Sequence, residues 1–294
     1  MTVPSSLGVQ VAVHDLGGAG APLLISHATG FHGRCYEPLA ELLAQRFHSI
    51  AFDYRGHGDT PRPDGPVDWQ RYGDDAEAMA AWLVERTGGP VDAFGHSMGG
   101  ACLLMAAQRR PELFRRLVVF EPIVFPPGGI RPADEGGSDP EANPMVIGAR
   151  RRRAVFPSYQ AAIDNYSAKP PLNCFTAASL RAYVLHGFRP DPDSAAEVGP
   201  DAVRLKCEPD TEAATFATGS LHDVWDHLPD IHTRTLVVSG WAEPMQPSSI
   251  ARLVAERLPD CDYLQLDELN HFGPMAAPQT VATVLLEALA DRAA

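Results

Sequence analysis

Apolar positions along this chain fall into short runs separated by longer amphipathic stretches. Runs at residues 9–13, 23–26, 49–53, 91–94, 117–120, 236–239 and 263–266 predict strands. Several are continuous rather than alternating, as expected of a parallel sheet covered on both faces. Between them, residues 36–45, 69–87, 98–108, 248–258 and 278–290 place apolar side chains at helical spacing. Strand alternating with helix predicts an α/β doubly wound fold.

The alternation stops from about residue 124 to residue 233. A structureless loop of that length is improbable in a folded domain. The tract opens on Pro126, Pro127, Gly128 and Gly129, a boundary signal. Helical patterns at residues 158–166, 177–186 and 212–217 predict an inserted helical subdomain. The expected division is therefore a core of residues 1–124 and 230–294, with a helical cap insertion at 125–229. The last part of that insertion is free to return to the core. No internal repeat is visible, which disfavours a solenoid.

Composition narrows the partners. Apolar residues are 45% and charged residues 21% of the 294, which excludes a disordered or collagen-like chain. With 24 Lys and Arg against 37 Asp and Glu, the net charge is −13. That field repels nucleic acid and anionic membranes. Cys35, Cys102, Cys174, Cys207 and Cys261 are odd in number and show no CxxC spacing, so reduced thiols are expected rather than a zinc site or disulfides. The first residues lack a basic segment followed by an apolar one, and no apolar run approaches the roughly 20 residues that span a bilayer. A soluble, cytoplasmic protein is expected.

The sharpest chemical signal is Gly95-His96-Ser97-Met98-Gly99-Gly100, between a predicted strand and a predicted helix. Small residues two before and two after the serine allow the sharp turn that exposes its hydroxyl. The helix then aims its N-terminal amides at negative charge forming on a substrate. A serine hydroxyl needs a base held by a third group. His271, in Leu269-Asn270-His271-Phe272-Gly273-Pro274 after the last strand, is the best placed of the eleven histidines. Two carboxylates follow strands and suit the third role: Glu243 in Ser239-Gly240-Trp241-Ala242-Glu243-Pro244, preferred, and Glu121 in Phe120-Glu121-Pro122.

These motifs together resemble the α/β-hydrolase superfamily, in a capped, esterase- or lipase-like form. His27-Ala28-Thr29-Gly30 is similar to the family's His-Gly loop, with Ala28 where glycine is usual, and Asp53-Tyr54-Arg55-Gly56-His57-Gly58 matches its DxRGxG loop. The resemblance implies an oxyanion hole built from the backbone N–H groups of Thr29 and Met98. It also implies bracing roles for His27 and the DxRGxG residues. The usual family acid lies three residues after the glycine of the Ser239-Gly240 loop and is Asp; here Glu243 stands there, and an acid after the earlier strand, at Glu121, is a known variant. Ser97 in place of an Asp nucleophile disfavours dehalogenase or epoxide hydrolase chemistry.

The expected function is thus a serine hydrolase cleaving a carboxylic ester through an acyl-enzyme on Ser97, without cofactor or metal. The same groups also serve C–C bond, thioester or lactone hydrolysis and perhydrolysis; a non-catalytic ligand-binding protein on this fold, and a protein whose cap mainly mediates assembly, are the further alternatives. The expected partner is a small-molecule ester or related acyl substrate, with no nucleic acid and no membrane span; a homo-oligomer stays open. The run Arg150 to Arg153, with Arg131, reads as a solvated face or as a lure for an anionic substrate. Phe125, Phe156, Tyr159, Tyr166, Phe175, Tyr183, Phe188 and Trp225 read mostly as cap core.

Overall fold

The apolar runs become the strands of one large sheet in the computed structural model of the chain, which describes residues 1–126, 142–242 and 246–290. In chain order the strands are β1 (Thr2–Pro4), β2 (Gln10–Gly17), β3 (Ala21–Ser26), β4 (Phe47–Phe52), β5 (Val91–His96) and β6 (Phe114–Phe120). Then come β7 (Val155–Phe156), β8 (Phe188–Pro190), β9 (Val203–Leu205), β10 (Thr235–Ser239) and β11 (Cys261–Gln265). Eight of them form one sheet in the order β1-β2-β4-β3-β5-β6-β10-β11. β2 pairs antiparallel with β1 and with β4; every other neighbouring pair in this sheet is parallel.

Helices cover both faces, as the continuous apolar strands require. On one side lie α1 (Glu37–Leu43) and, near the chain's end, a helix over Pro278–Ala288, whose Leu39, Leu43, Val281 and Leu285 pack with Leu23, Ile25 and Phe94 of the strands. On the other lie α2 (Trp69–Thr87) and α3 (Met98–Arg109), packed with Leu24, Phe52, Ala93 and Val119, together with a later helix over Ser248–Arg257. The ends of α2 are written in its sequence. The Asp68 carboxylate accepts from the Gln70 N–H at 2.9 Å, and Gly88 ends the helix at φ +79°.

Between β6 and β10 the chain forms α4 (Pro144–Arg150), α5 (Tyr159–Ser167), α6 (Ala177–Gly187), α7 (Ala195–Val198), α8 (Pro209–Ala217) and α9 (Val224–His227). The tract differs from a purely helical insertion: β7, β9 and β8 make a three-stranded antiparallel sheet within it. Strands of two or three residues are too short to display an alternating pattern, and what holds these is the burial of Phe156, Phe188, Val203 and Leu205. Val224, Leu228 and Ile231, at its end, join the cluster under α2 and α3.

Register brings the strand ends level. Ser26 lies opposite Gly95, His96 opposite Phe120, and Phe120 opposite Val238. The loops after β3, β5, β6 and β10 therefore emerge side by side, the position where open α/β sheets gather their functional groups. All five cysteines are free thiols; Cys35, Cys102 and Cys207 are buried. No described helix is long and apolar enough to cross a membrane.

Candidate active site

Ser97 forms the turn between β5 and α3 with φ +56° and ψ −117°, a conformation that a residue with a Cβ adopts only under strain. The turn is held by Ser97 N–H donating to Phe120 O at 2.9 Å and by its carbonyl accepting from Ile123 N–H at 3.2 Å. Glycines are required on either side. A Cβ on Gly95 would stand 2.7 Å from Gly100 Cα, and one on Gly99 would stand 2.3 Å from Ser26 O. Although Ser97 occupies the N-cap position of α3, its side chain does not cap the helix. The hydroxyl is turned instead toward His271, whose Nε2 lies 3.1 Å from Ser97 Oγ.

The other face of that imidazole is engaged by Glu121. His271 Nδ1 lies 2.6 Å from Glu121 Oε2, and the second carboxylate oxygen accepts from the Gly240 N–H at 2.8 Å. Glu121 is fully buried and, like Ser97, has a positive φ, +46°. Its own N–H donates to Val238 O, which locks the turn after β6 against β10. A carboxylate only accepts, so His271 carries its proton on Nδ1 and presents the lone pair of Nε2 to the serine hydroxyl. Ser97, His271 and Glu121, widely separated in sequence, thus meet in one hydrogen-bonded line. Glu243 lies outside the described residues, as does Arg131.

The loop after β3 borders this line. Thr29 and Met98 are both buried, and the close fit of Gly99 against Ser26 sets the start of α3 against the end of β3. His27 braces the loop: its Nδ1–H donates to Ala28 O at 2.8 Å and its Nε2 accepts from Tyr54 N–H at 3.0 Å. Asp53 accepts from the Gly33 and Asp59 N–H groups and from His14 Nε2, while Arg55 pairs with buried Asp75. The DxRGxG segment is structural scaffolding in this chain. His14, Asp53 and Asp59 bring ligand atoms within 4.8 Å of one another, but the Asp53 oxygens are already committed to those donors.

A strained serine at a strand-to-helix turn, a histidine after the last strand and a carboxylate behind it thus meet at the ends of the parallel strands. The model of the alpha/beta hydrolase family matches residues 23–284. The chain belongs to the alpha/beta hydrolase family. Among curated proteins, the chain is 32% identical over 104 residues to 2-(acetamidomethylene)succinate hydrolase of Mesorhizobium japonicum, a match covering 35% of the chain and 36% of that enzyme. The match therefore spans about a third of that relative's length. Its fold matches the crystal structure of E-2-(acetamidomethylene)succinate hydrolase with a TM-score of 0.73 at 21% identity, covering 95% of the chain and 94% of the other. A thermophilic esterase from Thermogutta terrifontis, with malate bound, gives a TM-score of 0.68 at 19% identity, covering 98% and 96%.

Around Ser97 and His271, aromatic rings form a wall. Phe31 has its ring centre 6.2 Å from Phe272, 5.9 Å from Phe175 and 5.3 Å from Tyr183, and Phe272 lies 5.6 Å from the His271 ring. Phe31 and Phe272 escaped the sequence reading because each sits in a loop, outside any periodic pattern. Phe156, Tyr183 and Phe188 are buried in the insertion, as core aromatics should be. The arginine run splits. Arg150, Arg151 and Arg153 are exposed, whereas Arg152 turns inward. Its Nη1 donates to Glu212 Oε2 at 2.5 Å and its Nη2 to the hydroxyls of Tyr166 and Tyr183. Glu212 Oε1 in turn covers Gly30, where a Cβ would meet it at 2.3 Å. A partly buried ion pair is thereby placed with its carboxylate against the loop that holds Thr29. Glu212 of α8 and the Tyr166 and Tyr183 hydroxyls of α5 and α6 hold this one arginine inward; nothing in the sequence run distinguishes Arg152 from its neighbours.

Proposed function

We propose that the chain is a serine hydrolase that cleaves a carboxylic ester through an acyl-enzyme on Ser97. The observation that carries this reading is the unbroken line Ser97 Oγ, His271 Nε2, His271 Nδ1, Glu121 Oε2, which supplies a base and its orienting carboxylate to a hydroxyl otherwise too weak to attack. His271 Nε2 takes the Ser97 proton as Oγ bonds to the acyl carbon. The N–H groups of Thr29 and Met98 receive the oxyanion, and Glu121 stabilises the imidazolium. His271 then gives its proton to the departing alkoxide as the C–O bond breaks. Water, deprotonated by the same nitrogen, attacks the acyl-enzyme and regenerates Ser97. Residues 125–229 act as a cap over this site, with the Phe31, Phe175 and Phe272 rings facing the acyl group.

The test is covalent labelling with a fluorophosphonate probe and location of the modified residue by mass spectrometry. Modification at Ser97 that disappears in His271→Ala is expected. A native protein that resists the probe would put the ligand-binding alternative in its place.

Arg152 favours a more specific substrate, an ester or other acyl compound that also bears a carboxylate. The guanidinium is bonded to Tyr166, Tyr183 and Glu212, and it is the Glu212 carboxylate that stands against Gly30. A guanidinium suits carboxylate recognition, and here a substrate carboxylate would have to share Arg152 with Glu212 or displace it. The compared hydrolases named for a substituted succinate, and the esterase holding malate, point the same way. Arg152→Gln is expected to raise KM at least tenfold for a succinate half-ester and to leave the KM of an uncharged ester of the same acyl size within about twofold, since one charge-assisted bond contributes about 1.5–3 kcal/mol. Equal changes for the two esters would show that Arg152 only supports the fold.

A further inference from the structure

His96, directly before the serine, has no part in the mechanism above, yet it is fully buried and both its ring nitrogens are bonded. Its Nε2 lies 2.7 Å from the carbonyl oxygen of His271. A carbonyl only accepts, so His96 carries its proton on Nε2 and donates there. Its Nδ1 must then accept, and the group it faces at 2.8 Å is the hydroxyl of Tyr36, itself fully buried. That hydroxyl, having given its proton to His96, accepts the N–H of Ala28 at 3.3 Å. The direction of every bond follows from one end: Ala28 N–H to Tyr36 Oη, Tyr36 Oη–H to His96 Nδ1, His96 Nε2–H to His271 O. Burial, and then the nearby His271 ring, hold His96 far below the usual histidine range, so it stays neutral and the sense of the line is kept.

The two ends of this line are informative. Ala28 is the residue before Thr29, and His271 is the residue whose side chain faces Ser97. Glu121 fixes the tilt of the His271 ring through Nδ1, but nothing in that contact fixes the backbone that carries the ring. His96 supplies that second point of attachment, from the strand residue adjoining the serine. The two imidazoles lie with ring centres 5.1 Å apart.

We infer that His96, with Tyr36 behind it, is a positioning residue that sets His271 and the Ala28-Thr29 loop at a fixed spacing about Ser97. This rests on the serine-hydrolase reading, because it assigns His96 a role in activating that serine. An acyl-transfer base displaced by about 1 Å loses on the order of a hundredfold in rate. A glutamine at position 96 places an N–H where the histidine Nε2–H was, whereas leucine keeps the bulk and removes the donor.

The experiment is the second-order rate of fluorophosphonate labelling at Ser97 in the wild type, His96→Leu, His96→Gln and Tyr36→Phe, with thermal melting of each. Expected are a loss of ten- to a hundredfold in His96→Leu, recovery to within about fivefold of wild type in His96→Gln, and an intermediate loss in Tyr36→Phe, whose melting temperature reports that the fold persists. Labelling of folded His96→Leu at the wild-type rate would overturn the inference and leave the serine-hydrolase reading standing. Equal losses in the leucine and glutamine variants would also overturn it, since bulk and not the donor would then be what matters. A wild type that does not label removes the function reading, and this inference with it. Should the leucine variant fail to fold, the glutamine and phenylalanine variants decide: wild-type labelling in Tyr36→Phe overturns the inference, and the stated pattern in the two sustains it.

Discussion

Ser97→Ala and His271→Ala are each expected to lower turnover by about a million-fold with the fold intact, the size of loss seen when either member of such a unit is removed. Glu121→Gln is expected to lower it by about ten-thousand-fold, and for a reason the geometry makes specific. One carboxylate oxygen of Glu121 accepts from the Gly240 N–H and the other from His271 Nδ1–H. A glutamine has one oxygen to offer, and the backbone N–H of Gly240 claims it. The amide NH2 then faces His271 Nδ1, which must accept rather than donate. The imidazole proton moves to Nε2, and the nitrogen that should take the Ser97 proton already holds one. Glu243→Gln is expected to stay within a few-fold of wild type. Initial rates on one ester across the four variants check the series; a greater loss in Glu243→Gln than in Glu121→Gln would transfer the acid's role to Glu243.

The second large effect is on stability in acid. His27, His32 and His57 are buried, and burial lowers them to about 3, about 4 and about 4 respectively, with His96 also well below the ordinary value. Each is neutral in the folded protein and hydrogen-bonded in one tautomer, with His32 Nε2–H donating to Tyr183 O at 3.0 Å and His57 Nδ1–H to Arg55 O at 3.2 Å. The unfolded chain protonates these histidines near pH 6.5, so below that value it binds more protons than the folded state. Stability is therefore fully present above about pH 6.5 and falls as the pH drops toward the folded values. Each histidine contributes a slope of about 1.4 kcal/mol per pH unit. Three or four acting together remove, within two or three pH units, an amount on the order of the 5–15 kcal/mol that stabilises a typical domain. The protein should lose its fold between about pH 5 and pH 4. Urea midpoints measured from pH 8 to pH 4.5 test this, and a midpoint independent of pH below 6.5 would refute it. His57 offers a control, because its Nε2 is buried without a partner among the described residues. His57→Phe should make the acid dependence shallower by about one histidine's slope.

The glycines around Ser97, the strand before it and the helix after it are local features, and local features are what a sequence displays. A turn between β5 and α3 tight enough to demand Gly95 and Gly99 can be read from six residues, since the clashes that demand them arise within that turn and against the adjacent strand. The strand and helix order was legible for the same reason. Burial on both faces writes itself as continuous apolar runs, and capping writes itself as Asp68 and Gly88 at the two ends of α2. His271 could be chosen from eleven histidines because its place after the last strand is a matter of chain order.

The carboxylate behind His271 was not decidable in this way. Glu121 and Glu243 both follow a strand and both precede a proline. What sets Glu121 apart is that β6 lies between β5 and β10, so the turn after it faces His271 on one side and Gly240 on the other. The inward turn of Arg152 and the line from Ala28 through Tyr36 and His96 to His271 are likewise contacts between segments far apart in the chain. Sequence alone determined the elements, their order and the serine turn, because these depend on neighbours along the chain. Tertiary structure decided which carboxylate, which arginine and which second histidine meet at the serine, because hydrogen bonds form between whatever atoms folding brings within about 3 Å, and no local pattern records that distance.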